Sequence, residues 1–192
     1  MVTIDEALFR TLNQAGSNAG LDALMVFFTI IGMSYIIVLI SVPVWLKGRK
    51  ELAFDLVIAI SLASLAAEVV KVLVDRQRPN ISLSDVNTII TASGPSFPSA
   101  HASRASAVAI LFALRWSKAA GIVAFSVATL IAVSRVFLGL HWPSDIAAGA
   151  FFGLLAGYGV NLAGTQGSQY ARIRSRVIRF VDGIIGQPKT SQ

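Results

Sequence analysis

Two histidines, one carboxylate and three cations are the residues whose types and spacing could do chemistry. His101 stands in FPSAH, and His141 in SRVFLGLHWPSD, flanked by Arg135 and Asp145. Lys71 and Arg78 belong to KVLVDRQRP. Each has an ordinary explanation when taken alone. Lys71 can snorkel from a helix end or pair with Glu68 one turn earlier, and Arg76 and Arg78 can be loop charges. Pro98 and Ser99 are a sound helix start, Arg135 can anchor a helix end, and Asp145 suits the positive end of a helix. As a set they say more. Cations beside a helix N-terminus form an anion site, where N–H groups at Ser99, Ala100 and His101 can hold phosphoryl oxygens. A histidine near a carboxylate is a nucleophile or base held in one tautomer, and a second histidine can act as general acid. Together these groups describe phosphoryl transfer without a metal. The chain has no cysteine, no H-E-x-x-H and no outward carboxylate cluster, and its three cations would repel a divalent ion.

The elements that must position these groups are apolar. The chain has 192 residues, of which 55% are hydrophobic and only 14% charged, against about 25% charged in a soluble domain. Five apolar blocks, at about 21–46, 52–74, 99–116, 119–140 and 143–163, read as membrane spans. The expected fold is an all-α integral membrane bundle of about five to six transmembrane helices, in one domain over 1–192. Residues 1–20 lack the basic n-region of a signal peptide, and Ile4, Leu8 and Leu12 recur at helical spacing. They read as an interfacial amphipathic helix. Residues 21–163 form the transmembrane core and 164–192 a basic tail.

Basic residues set the expected orientation. Lys47, Arg49 and Lys50, then Arg115 and Lys118, then Arg172, Arg174, Arg176, Arg179 and Lys189 all fall on one side if each block spans once. That side reads as cytoplasmic in a plasma membrane. The net charge of +6 then reflects loops beside anionic lipid rather than nucleic acid. Loop 75–98 faces outward yet keeps two arginines, and a connection of that length is usually functional or disordered. Both histidines lie on this outward side, although ionisable groups near a membrane core are costly.

K-x6-R-P (Lys71 to Pro79), P-S-A-H (Pro98 to His101) and S-R-x5-H-x3-D (Ser134 to Asp145) resemble the tripartite signature of the phosphatidic acid phosphatase type 2 superfamily. One departure is Ala100, where the second motif usually has glycine; its N–H remains, while its methyl would narrow the pocket. The resemblance implies that His141 attacks phosphorus to form a phosphohistidine, with Asp145 orienting it. It implies that His101 protonates the leaving group, and that Lys71, Arg78, Arg135, Ser99 and the Ala100 N–H bind phosphoryl oxygens. No cofactor or metal is implied. Arg76 and Arg104 stand outside the motifs, and Arg104 reads as a supporting charge. A neutral His141 with a protonated His101 would give a bell-shaped pH profile.

The site opens at the membrane surface, which favours a phosphorylated lipid entering between helices. An amphipathic N-terminus followed by five spans looks most like undecaprenyl or dolichyl diphosphate phosphatases. A phosphatidylglycerophosphate or phosphatidate phosphatase is the alternative. A lipid transporter or scramblase is the alternative of another class; it would need the cations but not the nucleophile.

Overall fold

The computed structural model describes residues 3–165 and 168–185, which leaves Lys189 of the basic tail outside the described residues. Among the described residues ten helices run in order: α1 (Ile4–Asn13), α2 (Ala19–Ile31), α3 (Ser34–Ile37), α4 (Ser41–Leu46), α5 (Lys50–Val74), α6 (Pro79–Ser82), α7 (Ala100–Arg115), α8 (Lys118–Phe137), α9 (Pro143–Thr165) and α10 (Gln169–Ile185). A 3-10 turn at Val38–Ile40 joins α3 to α4, and no strand occurs among the described residues.

The apolar blocks become helices, but not five equal ones. The stretches built on α5, α8 and α9 are long and apolar enough to cross a membrane. The first block is bent by 67° between α2 and the Ser34–Leu46 pair, and counts as a fourth crossing if the bent pair is one span. The third block, α7, has only 16 residues and rises about 24 Å, short of a hydrocarbon layer of about 30 Å. It sits at the centre, packed on α5, α8 and α9, and runs from His101 at one end of the bundle to Arg115 at the other. Ala107, Leu111, Ile131, Leu56, Ala59 and Ala63 meet there with no more than 1% of their surface exposed.

Contact between α7 and α9 is backbone to backbone. A Cβ at Gly149 would lie 2.3 Å from the Ser99 carbonyl oxygen, and one at Gly153 would lie 2.0 Å from that of Ser103. Glycine at these positions lets the helices approach as small-residue stripes do in membranes.

The two flanking helices are amphipathic. The Ile4, Leu8 and Leu12 stripe of α1 is exposed, while Phe9 and Asn13 on the other side are buried against the bundle. Asn13 donates through Nδ2 to the carbonyls of Asn87 (2.9 Å) and Phe137 (2.7 Å). The tail forms α10, whose Arg174 donates to buried Asp55 at 2.6 Å and to Glu51 at 2.8 Å. Arg115 and Tyr170 also donate to Asp55, at 3.0 and 2.5 Å. Arg49 donates to the Arg115 carbonyl, so the basic segments 47–50, 115–118 and 169–185 gather at one end of the bundle. Along α5 that end is marked by Asp55, and Lys71 lies at the other.

Candidate active site

The other end gathers the motif residues. Helix α8 ends in Arg135–Phe137, and Gly139 turns the chain at φ +75°. The turn carries His141 to the foot of α9, where Pro143 opens the helix and Asp145 lies in its first turn. Ser99 caps α7, its Oγ accepting from the Ala102 N–H, and His101 follows in the first turn.

His141 is 2% exposed. Its Nδ1 lies 3.4 Å from Asp145 Oδ2, and its Nε2 lies 3.3 Å from Arg78 Nη1. Arginine only donates, so Nε2 carries the lone pair and Nδ1 the proton that faces the carboxylate. This tautomer leaves Nε2 as the ring nitrogen with a lone pair able to act as a nucleophile or base. Burial pushes the pKa of His141 down to about 4; the Asp145 carboxylate opposes this, and Arg135 and Arg78 add to it. The ring is therefore neutral across the physiological range.

Asp145 is fully buried and tied on every side. Oδ2 accepts the Trp142 N–H at 2.9 Å, Oδ1 accepts Arg76 Nη1 at 2.8 Å, and its carbonyl accepts the Ser99 N–H at 3.0 Å. Two consequences follow for the expected roles. The Ser99 N–H is committed to Asp145, leaving its hydroxyl as the part of Ser99 that could meet a ligand. Arg76, which stands outside the motifs, is the residue that holds the carboxylate. Arg76 in turn donates to Asp5 Oδ2 at 2.7 Å, and Asp5 accepts the Ser144 N–H at 2.9 Å. The N-terminal helix thus reaches the motif carboxylate through one arginine. Phe9 against Trp142, with ring centroids 5.4 Å apart, seals the same junction.

The cations differ in how far they are engaged. Arg78 commits all five donors: Nε to Gly94, Nη2 to Ser93 and Pro95, and Nη1 to Leu140 and His141 Nε2. It pins loop 83–97 to the histidine turn, and only the donor on His141 can be released to a ligand. Arg135 is 5% exposed, and the described residues offer its Nε no acceptor. Lys71 pairs with Glu68 at 2.8 Å, the ordinary partner its spacing allows, but Glu68 is 61% exposed and holds it weakly. Lys71, Arg135 and His141 all lie within electrostatic reach of His101. His101 Nε2 is buried without a partner among the described residues, and its Nδ1 accepts from Arg104 Nη2 at 3.4 Å. Arg104 also donates twice to the Gly32 carbonyl, at the break between α2 and α3.

Arg76, Asp5 and Arg104 escaped motif reading. The signal that could have found them is scarcity, because a charge kept in so apolar a chain needs a partner.

The fold and this cluster define a helical membrane protein with a histidine and arginine site at one end. Residues 52–166 match the PAP2 superfamily, and the chain belongs to it. It is a phosphatase. The undecaprenyl-diphosphatase of Sulfolobus acidocaldarius is 32% identical over 151 residues, 76% of this chain and 71% of that protein. The decaprenylphosphoryl-5-phosphoribose phosphatase of Mycobacterium tuberculosis is 40% identical over 114 residues, 59% of this chain and 61% of that protein. Among solved structures, Aquifex aeolicus LpxE superposes with a TM-score of 0.78 at 28% identity, covering 83% of this chain and 96% of that one. A phosphatidylglycerolphosphate phosphatase from Bacillus subtilis shares the fold, with a TM-score of 0.71 at 24% identity over 86% of each chain.

Proposed function

We propose that this phosphatase removes the terminal phosphate of a polyprenyl diphosphate at the outer membrane face, through a phosphohistidine on His141. The observation that carries the reading is a set of buried, unpartnered polar atoms beside a neutral nucleophile. His101 Nε2 and Arg135 Nε have no acceptor among the described residues, and His141 Nε2 is held only by a donor that can move away.

His141 Nε2 attacks the terminal phosphorus, the N–P bond forms, and the P–O bond to the bridging oxygen breaks with its electron pair left on that oxygen. Asp145 faces the Nδ1 proton and stabilises the ring as it gains positive character. Arg135, the released Arg78 donor, Lys71, the Ser99 hydroxyl and the Ala100 N–H at the start of α7 neutralise the phosphoryl oxygens. His101 presents its Nε2 donor to the leaving oxygen. Water then breaks the N–P bond, and its protons leave with inorganic phosphate. No step calls on a cofactor or metal.

An apolar groove of ≈ 440 Å³ supports a lipid substrate. Ala105 and Ile131, one turn from His101 and Arg135, lie in its wall, and it extends along α7 and α8 to Trp116. The basic segments at the opposite end support the outward orientation. The polyprenyl tail draws on both relatives named above, and the diphosphate on the undecaprenyl-diphosphatase of Sulfolobus acidocaldarius.

The test is phosphate release by detergent-solubilised protein from polyprenyl diphosphate, phosphatidylglycerophosphate and phosphatidate, each with EDTA. The diphosphate should be hydrolysed fastest, with EDTA having no effect. Loss of activity in EDTA would overturn the metal-free mechanism, and preference for a glycerolipid would overturn the substrate. Binding of all three lipids without phosphate release would favour a transporter.

A further inference from the structure

Arg104 is buried inside the bundle, 6% exposed, without a carboxylate bonded to it among the described residues. Its partners are unusual for a buried cation. Nε and Nη2 donate to the Gly32 carbonyl at 3.2 and 3.1 Å, and Nη2 donates to His101 Nδ1 at 3.4 Å. The break after α2 interrupts the helical ladder there, and Arg104 takes the carbonyl as a fixed anchor. Gly32 also bounds the imidazole on its other edge: a Cβ there would lie 2.8 Å from His101 Cδ2 and 2.7 Å from Ile131 Cγ2. The ring is thus clamped between a guanidinium and a glycine.

The clamp decides the ring's protonation. A guanidinium has no lone pair to offer, so Nδ1 can only accept, and the ring proton must sit on Nε2. A second proton on Nδ1 would have to expel Arg104 from a site where no carboxylate is bonded to either partner. The other charged or titratable groups within reach of His101 are Arg135 on α8, His141 in the turn before α9 and Lys71 on α5, with Glu68 reaching Arg104. Only Glu68 is acidic, and it is engaged by Lys71.

We propose that Arg104 is a positioning residue that sets substrate class: it holds His101 as a neutral Nε2–H donor, matched to a phosphate leaving group and not to an alkoxide. The inference rests on the phosphohistidine reading above. When the bond from terminal phosphorus to the bridging oxygen of a diphosphate breaks, the electron pair is delocalised over a departing lipid phosphate. That group is stable as an anion and needs a hydrogen bond, with no proton transferred. When a phosphate monoester such as phosphatidate is cleaved, the pair is left on an alkoxide, which must take a proton as it departs. A neutral imidazole is a poor source of that proton, whereas an imidazolium is a good one. Arg104 therefore favours anhydrides by withholding the imidazolium.

The chain contains only two histidines, so labelling histidine with ¹⁵N gives a spectrum of four ring nitrogens, assigned with His101→Gln and His141→Gln. Wild-type protein at neutral pH should show both rings neutral, His101 with its proton on Nε2 and His141 with its proton on Nδ1. A cationic His101, or a proton on its Nδ1, overturns the proposal without need of any Arg104 variant.

Kinetics supply the second arm, with polyprenyl diphosphate and phosphatidate compared from pH 4.5 to 9. In Arg104→Met the diphosphate-to-monoester ratio of kcat/KM should fall at least roughly ten-fold, a part of the 10²–10⁴-fold a general acid contributes. Monoester hydrolysis should gain an acidic optimum, and Arg104→Lys should restore much of the ratio. Equal losses on both substrates with unshifted pH profiles would make Arg104 merely structural and overturn the proposal. A wild-type preference for phosphatidate would instead count against the polyprenyl diphosphate reading, and the ring spectrum would still report on the clamp.

Discussion

Replacing Asp145 by asparagine changes one atom at the most constrained point of the site. The carboxylate accepts the Trp142 N–H on Oδ2 and Arg76 on Oδ1, and the same Oδ2 faces His141 Nδ1. An amide can match only one of these sides. If its NH₂ points at Arg76, two donors collide there; if it points at Trp142 and His141, the buried Trp142 N–H loses its acceptor. Either arrangement leaves one unsatisfied donor, at a cost of about 1–3 kcal/mol of stability. Arg76, which is 31% exposed and keeps Asp5, can relax, so the lower half of that range is expected. The second arrangement also offers a donor to His141 Nδ1 and drives the ring proton to Nε2, covering the nucleophilic lone pair. The same exchange in a serine-protease triad costs about 10⁴ in kcat. Here the 3.4 Å separation is looser, and a loss of roughly 10²–10⁴ is expected.

The pH dependence sharpens the test. His141 titrates at about 4 in the folded protein and near 6.5 when unfolded, so the unfolded chain binds the extra proton first. Stability from this group is intact above about pH 6.5 and declines as pH falls toward 4. The acid limb of kcat/KM in the free enzyme should likewise lie near pH 4. Asp145 opposes the depression, so Asp145→Asn should move that limb further down, not up. Phosphate release and thermal unfolding, measured on the same detergent preparation, check both claims. A kcat within ten-fold of wild type, or an acid limb displaced toward neutrality, would refute the reasoning.

Three further outcomes follow from the packing. Asp5→Ala removes the acceptor of the Ser144 N–H at the start of α9 and one partner of Arg76, and should cost about 1–2 kcal/mol with only a few-fold loss of kcat. Asp55→Ala leaves Arg115 and Arg174 with only the half-exposed Glu51 as a carboxylate partner and should cost about 2–4 kcal/mol, read by thermal unfolding, while surviving protein keeps its KM. Gly153→Ala forces a methyl toward the Ser103 carbonyl and should destabilise by about 1–3 kcal/mol or more, whereas Gly159→Ala, with nothing within 4 Å, should be neutral or stabilising by up to about 1 kcal/mol.

The apolar blocks and the three motifs were legible because they are local. Periodicity marks a helix, a proline and a serine mark its start, and S-R-x5-H-x3-D spans one turn between two helices. What stayed hidden is what joins distant parts. Nothing near Asp5 announces that it meets Arg76 and Ser144, and nothing near Arg104 announces that its anchor is a carbonyl at residue 32. The bend after α2 was unreadable because the block is uniformly apolar on both sides of it. Hydrophobicity marks the third block as a helix but not its place among the others: α7 is the short central one, with other helices packed around it.

The glycines that bring α7 and α9 into backbone contact have a mechanical consequence. His101 rides at the head of one helix and His141 at the foot of the other, with the Ser99 N–H and Asp145 carbonyl joined across the seam. Side chains can reshuffle under load, but two abutting backbones have no slack to give. A thinner or thicker bilayer can tilt this pair only as one body, as membrane helices do under mismatch. The distance between His101 and His141 is thereby tied to the seam between two backbones and not to the lipid around them.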